Sequence, residues 1–276
     1  METKTVGNYN LITNDEELLA AFLKDRNLAK VNANDKEVHI ADGFYVRHVK
    51  RWLDLLIAIP AFLVFLPFNI VFGICTFFDV GRPIFYKQTR IGKDEKPFIL
   101  VKFRNMNNNT DADGKLLPAK ERVTKFGSFM RKYSLDELLN FWSVIKGDMS
   151  IIGPRPLPAF FSDRMSERHK KRYSIRPGLE CPYVMPEDTE ISAYHWKFEN
   201  DIWYIENVSF MTDIKMLVML FKLTFNMKNR GGHAGGLSYF VGYDDSGYAT
   251  SLKKVEKLHP DIIRDIETNP DAIEFV

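Results

Sequence analysis

Two adjacent carboxylates, Asp136 and Glu137, lie within the segment SLDELLNFW at residues 134–142. An ionised aspartate can act as the nucleophile in covalent phosphoryl transfer, and a second carboxylate beside it can hold Mg²⁺ together with phosphate oxygens. Ser134 and Glu137 also have the spacing of a capping box, in which both side chains satisfy free backbone N–H groups at a helix start. The segment alone therefore allows two interpretations, a phosphoryl-transfer centre or an ordinary helix start.

Cationic side chains lie near this pair in the sequence. Arg131 precedes Asp136 by five residues, and Arg155 lies in the segment GPRP. Arginine side chains stabilise the charge that develops on phosphoryl oxygens during transfer, and the prolines on both sides of Arg155 restrict its backbone. The sequence also leaves open that Arg155 is a surface residue that only stabilises a turn.

Helices and a hairpin are predicted to position these residues. Apolar residues recur at helical spacing over 135–145, so a helix is predicted to begin at Ser134. Upstream, two strands are predicted over 84–87 and 98–103, joined by a charged turn at 92–94. The predicted fold class is therefore α+β.

An apolar segment, Leu55–Phe78, contains no charged residue and is long enough to span a bilayer. Pro60 and Pro67 lie inside it and are expected to bend a helix. Basic residues flank both ends, and Lys and Arg favour the cytoplasmic side of a membrane. We therefore predict a re-entrant helix that bends near Pro67 and leaves the membrane by the face through which it enters. An ordinary kinked transmembrane helix stays an alternative.

Bulk composition narrows the functional class. The net charge of +2 argues against a dedicated nucleic-acid-binding protein. The two cysteines, Cys75 and Cys181, provide neither a disulfide framework nor a zinc ligand set. The first residues lack the basic and apolar regions of a secretory signal, so cytosol-facing surroundings are expected. Together with the carboxylates, the cations and the membrane segment, these features favour a phosphorylated substrate at a membrane face.

Several segments resemble the bacterial sugar transferase family, the small monotopic polyprenyl-phosphate phosphoglycosyl transferases. They are KRWLDLLIAIP, GRPIFYKQTRIGKDEKPFILVKFRNM, FGSFMRKYSLDELLNFWSVIKGDMSIIGPRPLP and RYSIRPGL, within residues 47–228. The resemblance implies transfer of sugar-1-phosphate from a nucleotide-diphosphate sugar, usually a UDP-sugar, to polyprenyl phosphate, with release of UMP. It also implies a monotopic protein at the cytoplasmic face of the bacterial inner membrane, with membrane lipids as partners and a homo-oligomer as one option.

The resemblance assigns roles residue by residue. Asp136 matches the nucleophile that forms a covalent phosphosugar intermediate, and Glu137 matches the ligand of Mg²⁺, the implied cofactor. A metal-bound Glu137 cannot also cap the backbone, so Ser134 is expected to cap the helix by itself. Pro67 matches the bend of the family's membrane helix. The other matching positions, expected to bind substrate phosphate or to be polar active-site residues, are Arg131, Arg155, Lys102 and Asp201.

The predicted layout has four parts. A soluble leader with an amphipathic helix covers 1–46, and a re-entrant broken helix covers 47–80. A small cytosolic catalytic domain with a short β-hairpin covers 81–230, and a C-terminal extension covers 231–276. The segment MTDIKMLVMLFKLTFNMKNR at 211–230 is expected either to lie as an amphipathic helix in the membrane interface or to enter the core.

Two departures from the family pattern affect the interpretation. Leu66 replaces the serine of the Ser-Pro pair at the bend, and LECPYVMPEDTEISAYHW replaces the family's TGWAQ-like stretch after RPG. The second departure affects the part of the site expected to contact the sugar or the base. Two further functions therefore stay open, a catalytically silent membrane-bound scaffold and a Mg²⁺-dependent nucleotide-sugar hydrolase.

Overall fold

Helices predominate in the computed structural model, and the strands are short, as the α+β prediction requires. The residues that the structure describes are 3–6, 9–12, 15–114, 116–117, 119–184, 191–225 and 239–258. The helices are α1 (Asp15–Asn34), α2 (Lys50–Val80), α3 (Ala119–Arg122), α4 (Lys125–Lys132), α5 (Asn140–Lys146), α6 (Glu167–Lys170), α7 (Ala193–Glu206), α8 (Phe210–Phe225) and α9 (Leu252–Leu258).

The strands pair two by two within the described residues. The pairs are β1 (Thr3–Val6) with β2 (Tyr9–Ile12), β3 (Phe85–Ile91) with β4 (Pro97–Phe103), β5 (Ser150–Ile152) with β6 (Gly178–Glu180), and β7 (Phe240–Tyr243) with β8 (Ala249–Ser251). The β5–β6 pair is parallel, and the other three are antiparallel.

The β3–β4 hairpin confirms the two strands that the sequence predicts. In its register Tyr86 faces Lys102 and Phe85 faces Phe103. Because side chains alternate along a strand, Tyr86 and Lys102 share one face of the hairpin, while Phe85 and Phe103 share the other. The hairpin therefore presents Lys102 and Phe103 on opposite faces.

In the β5–β6 pair, the backbone at Gly178 lies very close to the backbone at Gly153. A Cβ atom on Gly178 would lie 2.1 Å from the backbone nitrogen of Gly153. Only glycine fits such an approach. As a result, the GPRP segment lies directly beside the chain that follows Gly178, which sets the surroundings of Arg155.

The helix α2 carries the apolar segment. The stretch Tyr45–Val80 is long and apolar enough to cross a membrane, with a mean hydropathy of 2.5 over its most apolar part. Pro60 and Pro67 lie inside α2 without ending it, although each removes one backbone hydrogen bond. The secondary structure is therefore continuous where the sequence predicted a broken helix, and the bend at Pro67 stays a prediction.

Both ends of α2 bond to the part of the chain that follows it, residues 81–225, here called the central domain. Arg51, in its first turn, donates to the carbonyl oxygens of Val144 and Ile145 at 2.7 and 2.9 Å. Asp79, in its last turn, accepts a hydrogen bond of 2.5 Å from the Thr124 hydroxyl. At about 1.5 Å per residue, a straight helix of this length would hold its ends some 45 Å apart. One domain nevertheless contacts both ends.

The segments outside the central domain fold together. Helix α1 contacts β7, so the N-terminal and C-terminal parts of the chain meet. An aromatic cluster that includes Phe161, Phe198 and Phe240 joins β7 to the central domain. Buried His169 bridges the Tyr243 hydroxyl and the Glu199 carboxylate at 2.8 and 2.9 Å. The amphipathic helix predicted in the leader is present, but it packs onto the rest of the protein.

Candidate active site

The Asp–Glu pair lies in a short 3₁₀ turn over 135–137, between α4 and α5. Ser134 adopts a left-handed conformation (φ 55°, ψ 28°), and its side chain makes no capping hydrogen bond. Helix α5 begins only at Asn140. The predicted helix start at Ser134 and its capping role are therefore wrong. The left-handed residue reverses the chain after α4, and the tight turn that follows turns Asp136 inward.

Asp136 is held by a residue that the sequence analysis missed. Asp136 is 4% exposed, and its Oδ2 accepts a hydrogen bond of 2.9 Å from Nδ2 of Asn105. The Asn105 Oδ1 in turn accepts a bond of 2.8 Å from Arg131. Asn105 follows β4 by two residues, in the motif FRNM. The amide thus links the carboxylate to one of the predicted phosphate-binding arginines.

The electrostatics of Asp136 suit a nucleophile. Burial raises the pKa of this carboxyl, and the neighbouring Glu137 raises it further, while Lys102 and Arg131 lower it. The net pKa lies above the ordinary value. A raised pKa makes the carboxylate more basic, and the surrounding cations favour its ionised form. The site therefore combines a desolvated carboxylate with cations that favour its ionised form.

Glu137 and Arg155 form an ion pair at 2.5 Å. Burial raises the pKa of the Glu137 carboxyl, but Arg155, Lys102 and Arg90 together lower it below its ordinary value. Glu137 is therefore ionised across the neutral range. Arg155 is accordingly not an isolated surface residue, because it bonds to the carboxylate beside Asp136.

Arg155 also bonds to the chain segment that departs from the family pattern. Its Nη1 donates to the Leu179 carbonyl at 3.0 Å and contacts a carboxylate oxygen of Glu180 at 3.2 Å. The guanidinium thus lies between two carboxylates, those of Glu137 and Glu180. Glu180 was not singled out from the sequence, since only the parallel β5–β6 register brings it beside GPRP.

We expect Glu180→Gln to lower turnover about fivefold, because a charge-assisted bond that orients Arg155 becomes a neutral one. Glu167→Gln is the matched control. Its carboxylate pairs with Lys170 at 2.8 Å on an exposed surface, where such pairs contribute little. Steady-state kinetics with both variants check this expectation, and equal activities would contradict it.

Lys102 and Arg90 complete the cationic side of the site. Burial lowers the pKa of Lys102 below its ordinary value, while Glu137 and Asp136 oppose this shift. The Lys102 ammonium group therefore interacts electrostatically with both carboxylates. Burial lowers the pKa of Arg90 to about 10, and nearby Arg155 lowers it as well. Arg90 donates to the Pro156 carbonyl at 3.1 Å. Arg90 is a further residue that the sequence analysis missed, although its position on the Lys102 face of the hairpin follows from strand alternation.

Asp201 does not face this cluster. It is buried and bonds to Arg172 at 2.7 and 3.0 Å, and Arg172 donates to the backbone carbonyl of Arg155 at 2.8 Å. The structure therefore places Asp201 behind Arg155, where it neutralises Arg172, and its expected part in binding phosphate stays a prediction.

We expect Asp201→Asn to lower the free energy of unfolding by about 3 kcal/mol, because Arg172 would stay buried with its charge uncompensated. Asp245→Asn removes an exposed ion pair with Arg26 and is expected to change stability by less than about 1 kcal/mol. Thermal unfolding of the detergent-solubilised variants measures the difference. Similar unfolding temperatures for the two variants would contradict this role of Asp201.

The carboxylates of Asp136 and Glu137 could hold Mg²⁺ only if the substrate's phosphate oxygens supplied further ligands. Among the described residues, no group of three or more His, Cys, Asp or Glu side chains could hold a metal ion. Mg²⁺ commonly uses one or two carboxylates plus phosphate oxygens and water. Glu137 fits that pattern if a substrate phosphate binds Arg155, because the Glu137 carboxylate is then released from its ion pair with Arg155.

A long apolar helix, short paired strands and a buried carboxylate among cations are features expected of a membrane-associated protein that acts on anionic groups. Comparison with known sequences agrees with this class. The model of the family described as bacterial sugar transferase matches residues 45–227, more than half of the chain. The chain belongs to the bacterial sugar transferase family.

Individual relatives add detail. The Bacillus subtilis protein named uncharacterized sugar transferase EpsL is 40% identical over 140 residues, which cover 51% of this chain and 69% of that protein. The Aeromonas hydrophila UDP-N-acetylgalactosamine-undecaprenyl-phosphate N-acetylgalactosaminephosphotransferase is 32% identical over 60% of this chain and 41% of its own length. The Xanthomonas campestris UDP-glucose:undecaprenyl-phosphate glucose-1-phosphate transferase is 28% identical over 64% of this chain and 39% of its length. The chain thus spans less than half of these last two relatives.

Proposed function

We propose that this protein transfers sugar-1-phosphate from a nucleotide-diphosphate sugar, most simply a UDP-sugar, to polyprenyl phosphate. The observation that carries the proposal is the buried Asp136, fixed by Asn105 and surrounded by Lys102, Arg131 and Arg155. The family membership and the names of the relatives support the same reaction class.

In the first step, a carboxylate oxygen of Asp136 forms a bond to the phosphorus that carries the sugar. The bond between that phosphorus and the bridging oxygen breaks, and the nucleoside monophosphate leaves with the electron pair. In the second step, an oxygen of polyprenyl phosphate attacks the same phosphorus and the aspartate is released as a carboxylate. One phosphoanhydride replaces another, so the protein mainly has to position the phosphates and neutralise their charge.

Arg155 and Glu137 would change partners during this reaction. A diphosphate is a strong acceptor for the planar guanidinium fork, so binding of the donor would draw Arg155 away from Glu137. The carboxylate of Glu137 would then be free to hold Mg²⁺, which when bound supplies further charge neutralisation. Glu180 and the Leu179 carbonyl keep Arg155 in place on its other side.

We place the protein at the cytoplasmic face of the inner membrane, and two features of the chain support its monotopic attachment. Because one domain bonds to both ends of α2, a membrane entered by this helix would be entered and left on the same side. Helix α8 presents an exposed apolar face, consistent with the interfacial position considered from the sequence. The exposed apolar residues of α8 are Phe210, Met211, Ile214, Val218 and Phe221.

The dependence of nucleotide release on the lipid acceptor tests this proposal. We expect continued release of the nucleoside monophosphate only when polyprenyl phosphate is present, with at most one equivalent per enzyme in its absence. Multiple turnovers without the acceptor would instead identify a hydrolase. No release with any of a broad panel of nucleotide sugars would favour the catalytically silent scaffold.

A further inference from the structure

One lysine near the candidate active site has no counter-ion of its own. Lys197 lies in α7 and is half-buried. Among the residues that the structure describes, its ammonium group forms no hydrogen bond and no ion pair. Taking a charge out of water without pairing it costs free energy. Such a lysine is expected where a ligand supplies the missing anion.

Helix α7 places Lys197 close to the residues behind Arg155. Lys197 precedes Asp201 by four residues, so both side chains lie on one face of the helix. Asp201 bonds to Arg172 at 2.7 and 3.0 Å, and Arg172 donates to the backbone carbonyl of Arg155 at 2.8 Å. Lys197 is therefore one helical turn away from the group that supports Arg155.

The chain that follows β6 lies against the same helix. The Oδ1 of Asn200, in α7, accepts a hydrogen bond of 2.8 Å from the backbone nitrogen of Val184. Glu180, at the start of this segment, contacts Arg155 at 3.2 Å. Lys197 and Glu180 interact electrostatically, so the lysine belongs to the charged region around Arg155.

The charges around Lys197 are already paired with one another. Burial lowers the pKa of its ammonium group, Asp201 and Glu180 oppose this shift, and Arg172 and Arg155 add to it. The Asp201 carboxylate bonds to Arg172, and the Glu180 carboxylate bonds to Arg155. Within this described set, Lys197 is the cation without a bonded carboxylate, and it is available to an anionic ligand.

The position of Lys197 fits one of the two phosphates of the donor. Arg155 lies between Glu137, next to Asp136, and Glu180. Lys197 interacts with Glu180, and the groups that most strongly shift the pKa of Asp136 do not include it. Lys197 therefore lies on the side of Arg155 away from the nucleophile. The phosphate that departs with the nucleoside gains negative charge as the bridging bond breaks, and a cation there would stabilise it.

We propose that Lys197 binds the phosphate that leaves with the nucleoside, beside Arg155, and is a further catalytic residue for cleavage of the donor. This inference rests on the proposed function and adds a residue to its first step. The ammonium group stays protonated throughout and transfers no proton. It neutralises charge while the bond to Asp136 forms and the bridging bond breaks.

Substitution of Lys197 in the full-length, detergent-solubilised protein tests this inference. We expect Lys197→Met to lower kcat/KM for nucleotide release in the first half-reaction about 30-fold, because a charge-assisted bond to the leaving phosphate is lost. Lys197→Arg keeps the positive charge and is expected to stay within about threefold of the wild type. The KM for polyprenyl phosphate is expected to stay within about twofold in both variants.

Lys170→Met is the matched control. Lys170 is also half-buried but pairs with Glu167 at 2.8 Å, and its loss is expected to change nucleotide release less than about twofold. Thermal unfolding separates a ligand-binding role from a structural one. Removal of an unpaired charge is expected to leave the unfolding temperature of Lys197→Met the same or higher. If Lys197→Met does not fold, Lys197→Gln replaces it with the same expectations.

Binding of UDP gives a readout that does not depend on turnover. UDP carries the diphosphate of a UDP-sugar without the sugar, and its Kd is expected to rise about tenfold in Lys197→Met. The acceptor is the other source of phosphate. A raised KM for polyprenyl phosphate with unchanged nucleotide release and UDP binding would assign Lys197 to the acceptor and overturn the inference.

The other outcomes also decide the matter. Equal nucleotide release by Lys197→Met and Lys170→Met would overturn the role of Lys197. A lower unfolding temperature in Lys197→Met, with activity lost in Lys197→Arg as well, would overturn it in favour of a structural role. Failure of the wild-type protein to release nucleotide from any donor would instead overturn the proposed function itself.

Discussion

The Asp136→Asn variant is expected to lose transfer of sugar phosphate by about 10⁴-fold or more, because the amide cannot form the covalent bond to phosphorus. The substitution keeps the size of the side chain. An amide oxygen can also still accept the bond that Asn105 donates at 2.9 Å. The loss would therefore reflect chemistry and not a disturbed turn. Radiolabelled sugar phosphate recovered in the lipid fraction measures it.

Stability provides the control for this variant. Burial raises the pKa of Asp136 above its ordinary value, so at neutral pH the charged carboxylate is less favourable in the folded state than in the unfolded chain. Replacing it by a neutral amide is expected to leave the unfolding temperature the same or higher. A variant that loses activity and also unfolds at a clearly lower temperature would contradict this interpretation.

The same pKa shift predicts a pH dependence. Attack requires the ionised carboxylate, and the raised pKa moves the acidic limb of the rate profile upward from the ordinary aspartate range. The rate of nucleotide release in the first half-reaction is expected to fall as pH is lowered through that shifted pKa. The profile should flatten above it.

The second large effect is expected at Arg155. Arg155→Lys keeps a positive charge but loses the planar fork that contacts Glu137, Glu180 and the Leu179 carbonyl. We expect kcat/KM for the donor to fall about 10²-fold, because one cation can no longer contact the phosphates and its protein partners together. Single-turnover release of nucleotide measures this step apart from binding of the acceptor.

Arg168→Lys is the matched control for this prediction. Arg168 forms a two-bond ion pair with Glu199, each bond 2.9 Å long, in the region where His169 meets the C-terminal hairpin. Like Arg155, Arg168 binds a carboxylate through its planar guanidinium group. Within the described residues it makes no contact with Asp136 or Glu137. Comparable losses of activity in the two variants would indicate general destabilisation and contradict a specific role of Arg155.

Regular patterns allowed part of the fold to be predicted. The β3–β4 hairpin follows from alternation and a charged turn, and its register places Lys102 on the same face as Tyr86 and Arg90. Motif matches likewise identified Asp136, Glu137, Arg131 and Arg155, which the structure brings together. These features depend on short stretches of sequence, where local preferences and global fold agree.

The helix start at Ser134 was wrong because a local pattern competed with tertiary structure. The capping-box spacing is present, but the chain must reverse after α4 and turn Asp136 towards Asn105. The left-handed Ser134 and the 3₁₀ turn achieve this. Departures from local propensity are expected at functional sites.

Other contacts of the site could not be predicted because only the folded chain brings the residues together. Glu180, which was missed, reaches Arg155 through the β5–β6 pair, and Asp201, which was identified, contacts Arg172 behind Arg155. Neither contact has a signature in sequence spacing, since parallel pairing and helix packing join segments that are distant in the chain. The packing of α1 against β7 has the same origin.

The covalent intermediate offers the most direct test of the central claim. The protein is incubated with a panel of UDP-sugars without acceptor, digested, and examined by peptide mass spectrometry. One peptide, the one containing Asp136, is expected to gain the mass of a sugar phosphate and to lose it again when polyprenyl phosphate is added. Transfer of sugar phosphate to the lipid with no adduct on Asp136, or with the adduct on another residue, would contradict the account.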